Sequence, residues 1–227
     1  MGRLLLFCTG IIFPLYMSLT LPIHHTYLAL GDSYTIGEMV PEDQRFPVQA
    51  ASLLRAAGIP MDPPRIIART GWTTDELAGA IREARVTDTY DLVTLLIGVN
   101  NQYRGRSVED YAPEFRRLLI QAIHFAGGHA SHVIVLSIPD WGVTPFARDR
   151  DGQKIAREID AYNAANQRIA AELGAQYADI TPGTRSAALD ADLVAEDGLH
   201  PSGKAYEAWA KAIVPLMEQA LREGISW

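Results

Sequence analysis

The chain has 227 residues, a length typical of one domain with a substantial core. Its 27 acidic residues outnumber its 20 lysines and arginines, giving a net charge of −7. No basic cluster interrupts this balance, which argues against nucleic acid as a partner. The single cysteine, Cys8, excludes a disulfide framework within the chain.

The N-terminal segment differs from the rest of the chain. Arg3 precedes an apolar-rich run from Leu4 to Leu21 that has no charged side chain. This pattern is typical of a secretory signal or a membrane anchor, so it predicts a leader over residues 1–24 and a folded domain over residues 25–227. The expected location is periplasmic or secreted, with membrane contact only through the leader. If translation instead begins at Met17, most of the run is lost and the protein is cytoplasmic.

Five apolar segments alternate with helical patterns after the leader. The predicted strands cover residues 26–30, 65–68, 91–97, 132–138 and 176–180, and the predicted helices begin near residues 46, 73, 107, 154 and 203. Parallel strands need crossover helices, and these cover both faces of a sheet. The sequence therefore predicts an α/β fold, a three-layer α/β/α sandwich around a five-stranded parallel sheet.

Residues able to carry chemistry follow the predicted strands. Ser33 follows the first strand, Gly71 the second, Asn100 the third, and Asp197 and His200 the fifth. The carboxyl ends of parallel strands share one edge of the sheet. Acyl transfer needs a nucleophile, a base, a carboxylate that orients the base, and donors for the oxyanion, and these positions can provide all four.

These positions resemble the conserved sequence blocks of the SGNH (GDSL-type) hydrolases. The matching blocks, in chain order, are Gly31-Asp32-Ser33, Gly71, Gly98-x-Asn100 and Asp197-x-x-His200. The resemblance implies a flavodoxin-like sandwich with Ser33 as nucleophile, His200 as general base and acid, and Asp197 as its orienting carboxylate. It also implies an oxyanion hole made by the backbone N–H groups of Ser33 and Gly71 and the side-chain amide of Asn100.

The implied activity is hydrolysis of small-molecule or lipid esters, without a metal or other cofactor. Lysophospholipase-like, thioesterase-like and carbohydrate-deacetylase-like activities all fit. Tyr34 stands where the family usually has leucine, and Asn101 where many members have aspartate, so substrate preference does not transfer. Together with Trp72 and Trp141, these two residues are candidates for the substrate pocket. The loop Pro139–Gly152, which holds Trp141, is either a wall of the cleft or a surface Ω-type loop.

A second function remains open at this point. In a flavodoxin-like phosphate- or nucleotide-binding protein, residues 31–35 would hold a phosphate at a helix N-terminus. This hypothesis leaves Asn100 and the Asp197/His200 pair without a role. Each residue also has an ordinary structural interpretation by itself, such as Ser33 capping a helix. The sequence does not determine the oligomeric state.

Overall fold

Five short strands form one parallel sheet within residues 24–223, the part of the chain that this computed structural model describes. The strands are β1 (Tyr27–Gly31), β2 (Arg65–Ala68), β3 (Leu92–Leu96), β4 (Val133–Leu136) and β5 (Gln176–Ala178). Their order across the sheet is β2-β1-β3-β4-β5. Every residue of β1, β3 and β4 is buried, as expected for strands that are covered on both faces.

Helices cover both sides of this sheet. They are α1 (Ser33–Ile36), α2 (Phe46–Ala56), α3 (Thr74–Glu83), α4 (Val99–Tyr103), α5 (Val108–Phe125), α6 (Gly152–Leu173), α7 (Thr181–Thr184) and α8 (Gly203–Glu223). Helix α2 packs against α8, while α5 packs against both α3 and α6. The predicted α/β/α sandwich with a five-stranded parallel sheet is confirmed.

Three short helices are absent from the sequence prediction. Helices α1, α4 and α7 directly follow β1, β3 and β5, and each has only four or five residues. A segment this short spans little more than one helical turn, so it shows no apolar periodicity. These helices matter because two of them, α1 and α4, carry Ser33 and Asn100.

The sheet order places a switch in chain direction beside β1. The chain moves from β1 outward to β2 and then returns past β1 to β3, so the loops after β1 and β3 diverge. Ligands of open α/β sheets bind in the crevice that forms at such a point. Gly31 ends β1 there, and a Cβ atom at this residue would overlap the side chain of Thr35 and the carbonyl oxygen of Leu96.

The predicted leader, with Cys8, falls on residues outside the described part of the chain, apart from His24. Among residues 24–223, no helix has the length and apolar character needed to cross a membrane.

Candidate active site

Four of the five residues predicted for catalysis and the oxyanion hole line one cavity of about 210 Å³. Ser33 follows β1, Gly71 follows β2, Asn100 follows β3, and His200 lies in the long segment between β5 and α8. The cavity therefore lies at the carboxyl edge of the sheet, as predicted. Asp197, the fifth residue, reaches this group through His200.

Ser33 is the first residue of α1 and is only 5% exposed. The N-cap of this helix is Asp32, whose carboxylate accepts a hydrogen bond from the backbone N–H of Tyr34 at 3.0 Å. Ser33 is thus not the capping residue. Its backbone N–H belongs to the first turn and has no acceptor within the helix, which leaves it free for an oxyanion.

Asp197 and His200 form a close pair. Oδ2 of Asp197 lies 2.6 Å from Nδ1 of His200, and Oδ1 accepts the backbone N–H groups of Leu199 and His200 at 3.0 Å each. Partial burial opposes ionisation of Asp197, but the hydrogen bonds from His200 and from the two backbone groups outweigh it and lower the pKa of the carboxyl. An ionised Asp197 favours the His200 tautomer with a proton on Nδ1, which leaves Nε2 as an acceptor.

The imidazole of His200 is also held from another side. His200 is only 8% exposed, and the Tyr34 ring packs edge-on against its imidazole with the ring centroids 5.9 Å apart. Tyr34 in turn packs edge-on against Trp209 of α8 at 6.0 Å. These contacts restrict rotation of the imidazole ring.

Gly71 lies in a tight turn closed by a hydrogen bond from the Trp72 N–H to the Arg69 carbonyl at 3.3 Å. Its φ is +85°, and no atom within 4 Å would meet an added Cβ. The backbone conformation, and not a lack of space, therefore requires glycine here. Nη2 of Arg104 donates to the Gly71 carbonyl at 2.7 Å and holds this turn against the end of α4.

Asn100 makes a second link between α4 and the same turn. Its Nδ2 donates to the backbone carbonyl of Trp72 at 3.0 Å. The amide group has two N–H donors, so this bond fixes its orientation and leaves one donor for a ligand in the cavity. Asn100 and Gly71 line the same cavity, so the free amide N–H of Asn100 lies on the same wall as the Gly71 backbone.

The structure does not bring Asn101 and Trp72 to the cavity wall. Asn101 is fully buried, and its amide exchanges two hydrogen bonds with Thr74, at 3.1 Å to the backbone N–H and 2.7 Å to Oγ1. Trp72 packs against the core. Asn101 thus joins α4 to the start of α3, and the expectation that these two residues line the pocket is corrected.

Tyr34 and Trp141 do line the cavity, as predicted. Trp141 belongs to the loop after β4, where it starts a single turn of 3₁₀ helix, and its Nε1 donates to Oε1 of Gln102 at 2.8 Å. Phe146 of the same loop also lines the cavity. Of the two interpretations of residues 139–152, the structure therefore shows the cleft wall.

Thr70, Val99, Tyr103 and Leu199 also line the wall, and the sequence analysis named none of them as pocket residues. Tyr103 lies three residues after Asn100, so on a helix both point to the same side. This three-residue spacing indicates a shared side only when residues 99–103 are known to be helical. A larger cavity of about 370 Å³ adjoins this one, because both are lined by Tyr34, Trp141, Leu199 and His200. Its other walls are largely apolar and come from the segment after β5 and from α8.

Asp32 is a buried acid next to Ser33. One of its oxygens accepts the Tyr34 N–H, while the other has no hydrogen-bond partner among the described residues. Burial raises the pKa of Asp32 to about 7, although the backbone hydrogen bonds act in the opposite direction.

Residues 29–208 match the model of the GDSL-like lipase/acylhydrolase family. A crystal structure of TesA superposes with a TM-score of 0.69 at 17% identity, over 86% of this chain and 99% of TesA. A lipolytic protein of the G-D-S-L family from Veillonella parvula gives 0.66 at 18% identity, over 86% and 98% of the two chains. Axe2, an acetylxylan esterase from Geobacillus stearothermophilus, gives 0.65 at 19% identity, over 87% and 96%. No curated protein sequence matches the chain. At these low sequence identities, the structural matches establish a shared fold.

Proposed function

Since this chain belongs to the GDSL-like lipase/acylhydrolase family and is an ester-hydrolysing enzyme, we propose that it cleaves carboxylic esters or thioesters through an acyl-enzyme at Ser33. One observation carries this proposal. The hydrogen-bonded Asp197–His200 pair reaches the same cavity as Ser33 and the two oxyanion candidates, Gly71 and Asn100. This set contains every group that acyl transfer by a serine requires.

In the first half of the proposed reaction, Nε2 of His200 accepts the Ser33 proton while Oγ attacks the ester carbonyl carbon. A C–O bond forms and the carbonyl electrons move to its oxygen, where the N–H groups of Ser33, Gly71 and Asn100 stabilise the charge. When the carbonyl reforms, the bond to the leaving alcohol or thiol breaks, and His200 donates its proton to that group.

In the second half, His200 accepts a proton from water, and the resulting hydroxide attacks the acyl carbon. Collapse of the second tetrahedral species releases the carboxylic acid and returns the proton to Ser33. Asp197 stays ionised throughout, fixes the imidazole tautomer and stabilises the imidazolium that forms twice in each cycle. The lowered pKa of its carboxyl supports this role.

Among the three substrate classes, we favour esters or thioesters with an apolar acyl chain over acetylated carbohydrates. The apolar walls of the 370 Å³ cavity beside His200 support this choice. Hydrolysis of 4-nitrophenyl esters from acetyl to dodecanoyl tests it. Activity that rises with chain length supports a lysophospholipase- or thioesterase-like enzyme, whereas activity confined to the acetyl ester indicates a deacetylase.

The phosphate-binding alternative is not favoured. Helix α1 has only four residues, and the buried Asp32 already binds the Tyr34 N–H at its start. A phosphate would compete with this carboxyl for the same donors. The decisive test of the proposed function is covalent labelling: a fluorophosphonate should lose fluoride and phosphonylate Ser33, as detected by peptide mass spectrometry. Ser33→Ala is the matched control, and labelling elsewhere in the chain would contradict the assignment.

We also propose a periplasmic or secreted location. It rests on the apolar run of residues 4–21, which lies outside the described residues. Fractionation of cells that produce the full chain tests this, with a chain beginning at Met17 as the control. Equal cytoplasmic recovery of both forms would contradict it.

A further inference from the structure

One arginine at the mouth of the Ser33 cavity has an unusual set of neighbours. The guanidinium of Arg150 lies over the rings of Tyr103, Trp141 and Phe146, with its Cζ atom 5.2, 5.5 and 5.5 Å from the ring centroids. All three rings line the cavity. Tyr103 and Phe146 are 48% and 41% exposed, so they form the part of the wall that meets solvent.

This arrangement holds a positive charge in place. An exposed arginine usually samples many rotamers, but contacts with several aromatic faces restrict the side chain through cation–π attraction. One guanidinium N–H of Arg150 donates to the Tyr103 hydroxyl at 3.2 Å. Guanidinium has five N–H donors, and the bond to Tyr103 is the only side-chain hydrogen bond that Arg150 makes among the described residues, so other donors remain available.

The charge of Arg150 is not paired within residues 24–223. No Asp or Glu among the described residues forms an ion pair with it, although the chain carries a net charge of −7. Arg104, at the end of the same helix as Tyr103, is by contrast paired with Glu76 at 3.3 Å and with the Gly71 carbonyl. Arg150 is thus a positioned cation with free donors beside the cavity.

We propose that Arg150 binds an anionic group, a carboxylate or a phosphate, on the part of the ester substrate that extends beyond the cavity mouth. Guanidinium matches both anions because two parallel N–H donors can bind two oxygens. A side chain already ordered by three rings loses little further freedom on binding, which favours affinity. This inference rests on the proposed ester hydrolysis and adds the charge of the preferred substrate.

Two pairs of esters test it, each pair consisting of a carboxylate and its neutral methyl ester. Mono-(4-nitrophenyl) succinate and its methyl ester place the charge on the acyl side, while 4-acetoxybenzoate and its methyl ester place it on the leaving group. The measured quantity is the ratio of kcat/KM for the charged ester to that for its neutral partner. In the wild type, this ratio should fall as salt rises from about 0.1 to 1 M, because the Debye length shortens from roughly 10 to 3 Å.

Arg150→Gln should lower the ratio about tenfold in at least one pair, mainly through KM of the charged ester. Arg150→Lys should lower it less, since it keeps the charge but loses the planar donor set. The matched control is Arg148→Gln. Arg148 lies two residues before Arg150 and carries the same charge, but its side chain does not make these ring contacts. This variant should change the ratio less than twofold.

The outcomes separate this inference from the proposed function. If neutral esters are hydrolysed but Arg150→Gln leaves both ratios within twofold of wild type, the anion site is wrong and the esterase stands. An equal effect of Arg148→Gln also overturns the inference, since it would show a general charge effect. If the wild type hydrolyses the longer 4-nitrophenyl esters but none of these four, the anion site is wrong and the esterase stands. If it hydrolyses neither these four nor any 4-nitrophenyl ester from acetyl to dodecanoyl, the proposed function and this inference fail together.

Discussion

Oδ2 of Asp197 lies 2.6 Å from Nδ1 of His200, and only two residues separate the pair in the chain. The other oxygen of the same carboxylate binds the backbone N–H groups of Leu199 and His200, so the turn itself holds the carboxylate against the ring. Asp197 therefore depends on no distant element for its orientation.

We expect Asp197→Asn to lower kcat/KM by a large part of the factor by which His200→Ala lowers it. Asparagine can present its NH₂ group to Nδ1, which favours the wrong imidazole tautomer and removes the charge that stabilises the imidazolium. The double variant should be little worse than His200→Ala, because members of one catalytic unit are not additive. Values of kcat/KM for the two single variants and the double variant measure this. Independent, additive losses would show that Asp197 acts elsewhere.

Ser33→Ala should abolish ester hydrolysis and leave the fold unchanged. The substitution removes the attacking oxygen from the first turn of α1 but leaves the capping bond from Tyr34 to Asp32 intact. Circular dichroism and the urea midpoint should match the wild type. Turnover similar to wild type in carefully purified Ser33→Ala would exclude Ser33 as the nucleophile.

Asn100 and Asn101 form a matched pair for separating catalysis from stability. Asn100→Ala should lower kcat by about 10²–10³, the usual effect of losing one oxyanion donor. Asn101→Ala should instead lower the free energy of unfolding by about 1–3 kcal/mol, because it leaves the buried N–H of Thr74 without its acceptor and removes the donor to the Thr74 hydroxyl, which keeps only its bond to Glu114. Kinetics and urea unfolding of both variants test the contrast. A loss confined to KM in Asn100→Ala would show that this residue binds substrate and not the oxyanion.

The pH dependence of stability should reveal Asp32. Its pKa in the folded protein is about 7, against an ordinary value of 3.8, so folding favours the protonated form. The stability this acid contributes is therefore fully present below about pH 4 and is lost as the pH rises through about 7. The difference between these two pKa values corresponds to a change of roughly 4 kcal/mol in the free energy of unfolding.

Asp32→Asn removes this titration. The free energy of unfolding of the wild type, measured relative to the variant, should decrease between about pH 4 and pH 8. Comparing the two proteins at each pH cancels the contributions of all other ionisable groups. A difference that does not change with pH would show that Asp32 is not buried as an isolated acid.

The sequence by itself determined the fold class and the main catalytic candidates. Apolar runs of four to seven residues separated by amphipathic segments allow few arrangements other than a parallel sheet covered on both faces. Because the carboxyl ends of such strands share an edge, the position of Ser33, Gly71 and Asn100 after successive strands was enough to predict that they meet. The Asp197–His200 contact was also predictable, since it depends on a local turn.

Only the tertiary structure decided which neighbours of these residues line the cavity. Asn100 and Asn101 are adjacent in the chain, and the unpredicted helix α4 turns the first toward the cavity and the second into the core against Thr74. Helical direction changes by about 100° per residue, so a loop interpretation could not separate them. The contact of Arg150 with Tyr103 likewise joins segments 47 residues apart. Local sequence patterns fix backbone tendencies, whereas such contacts depend on how the elements pack together.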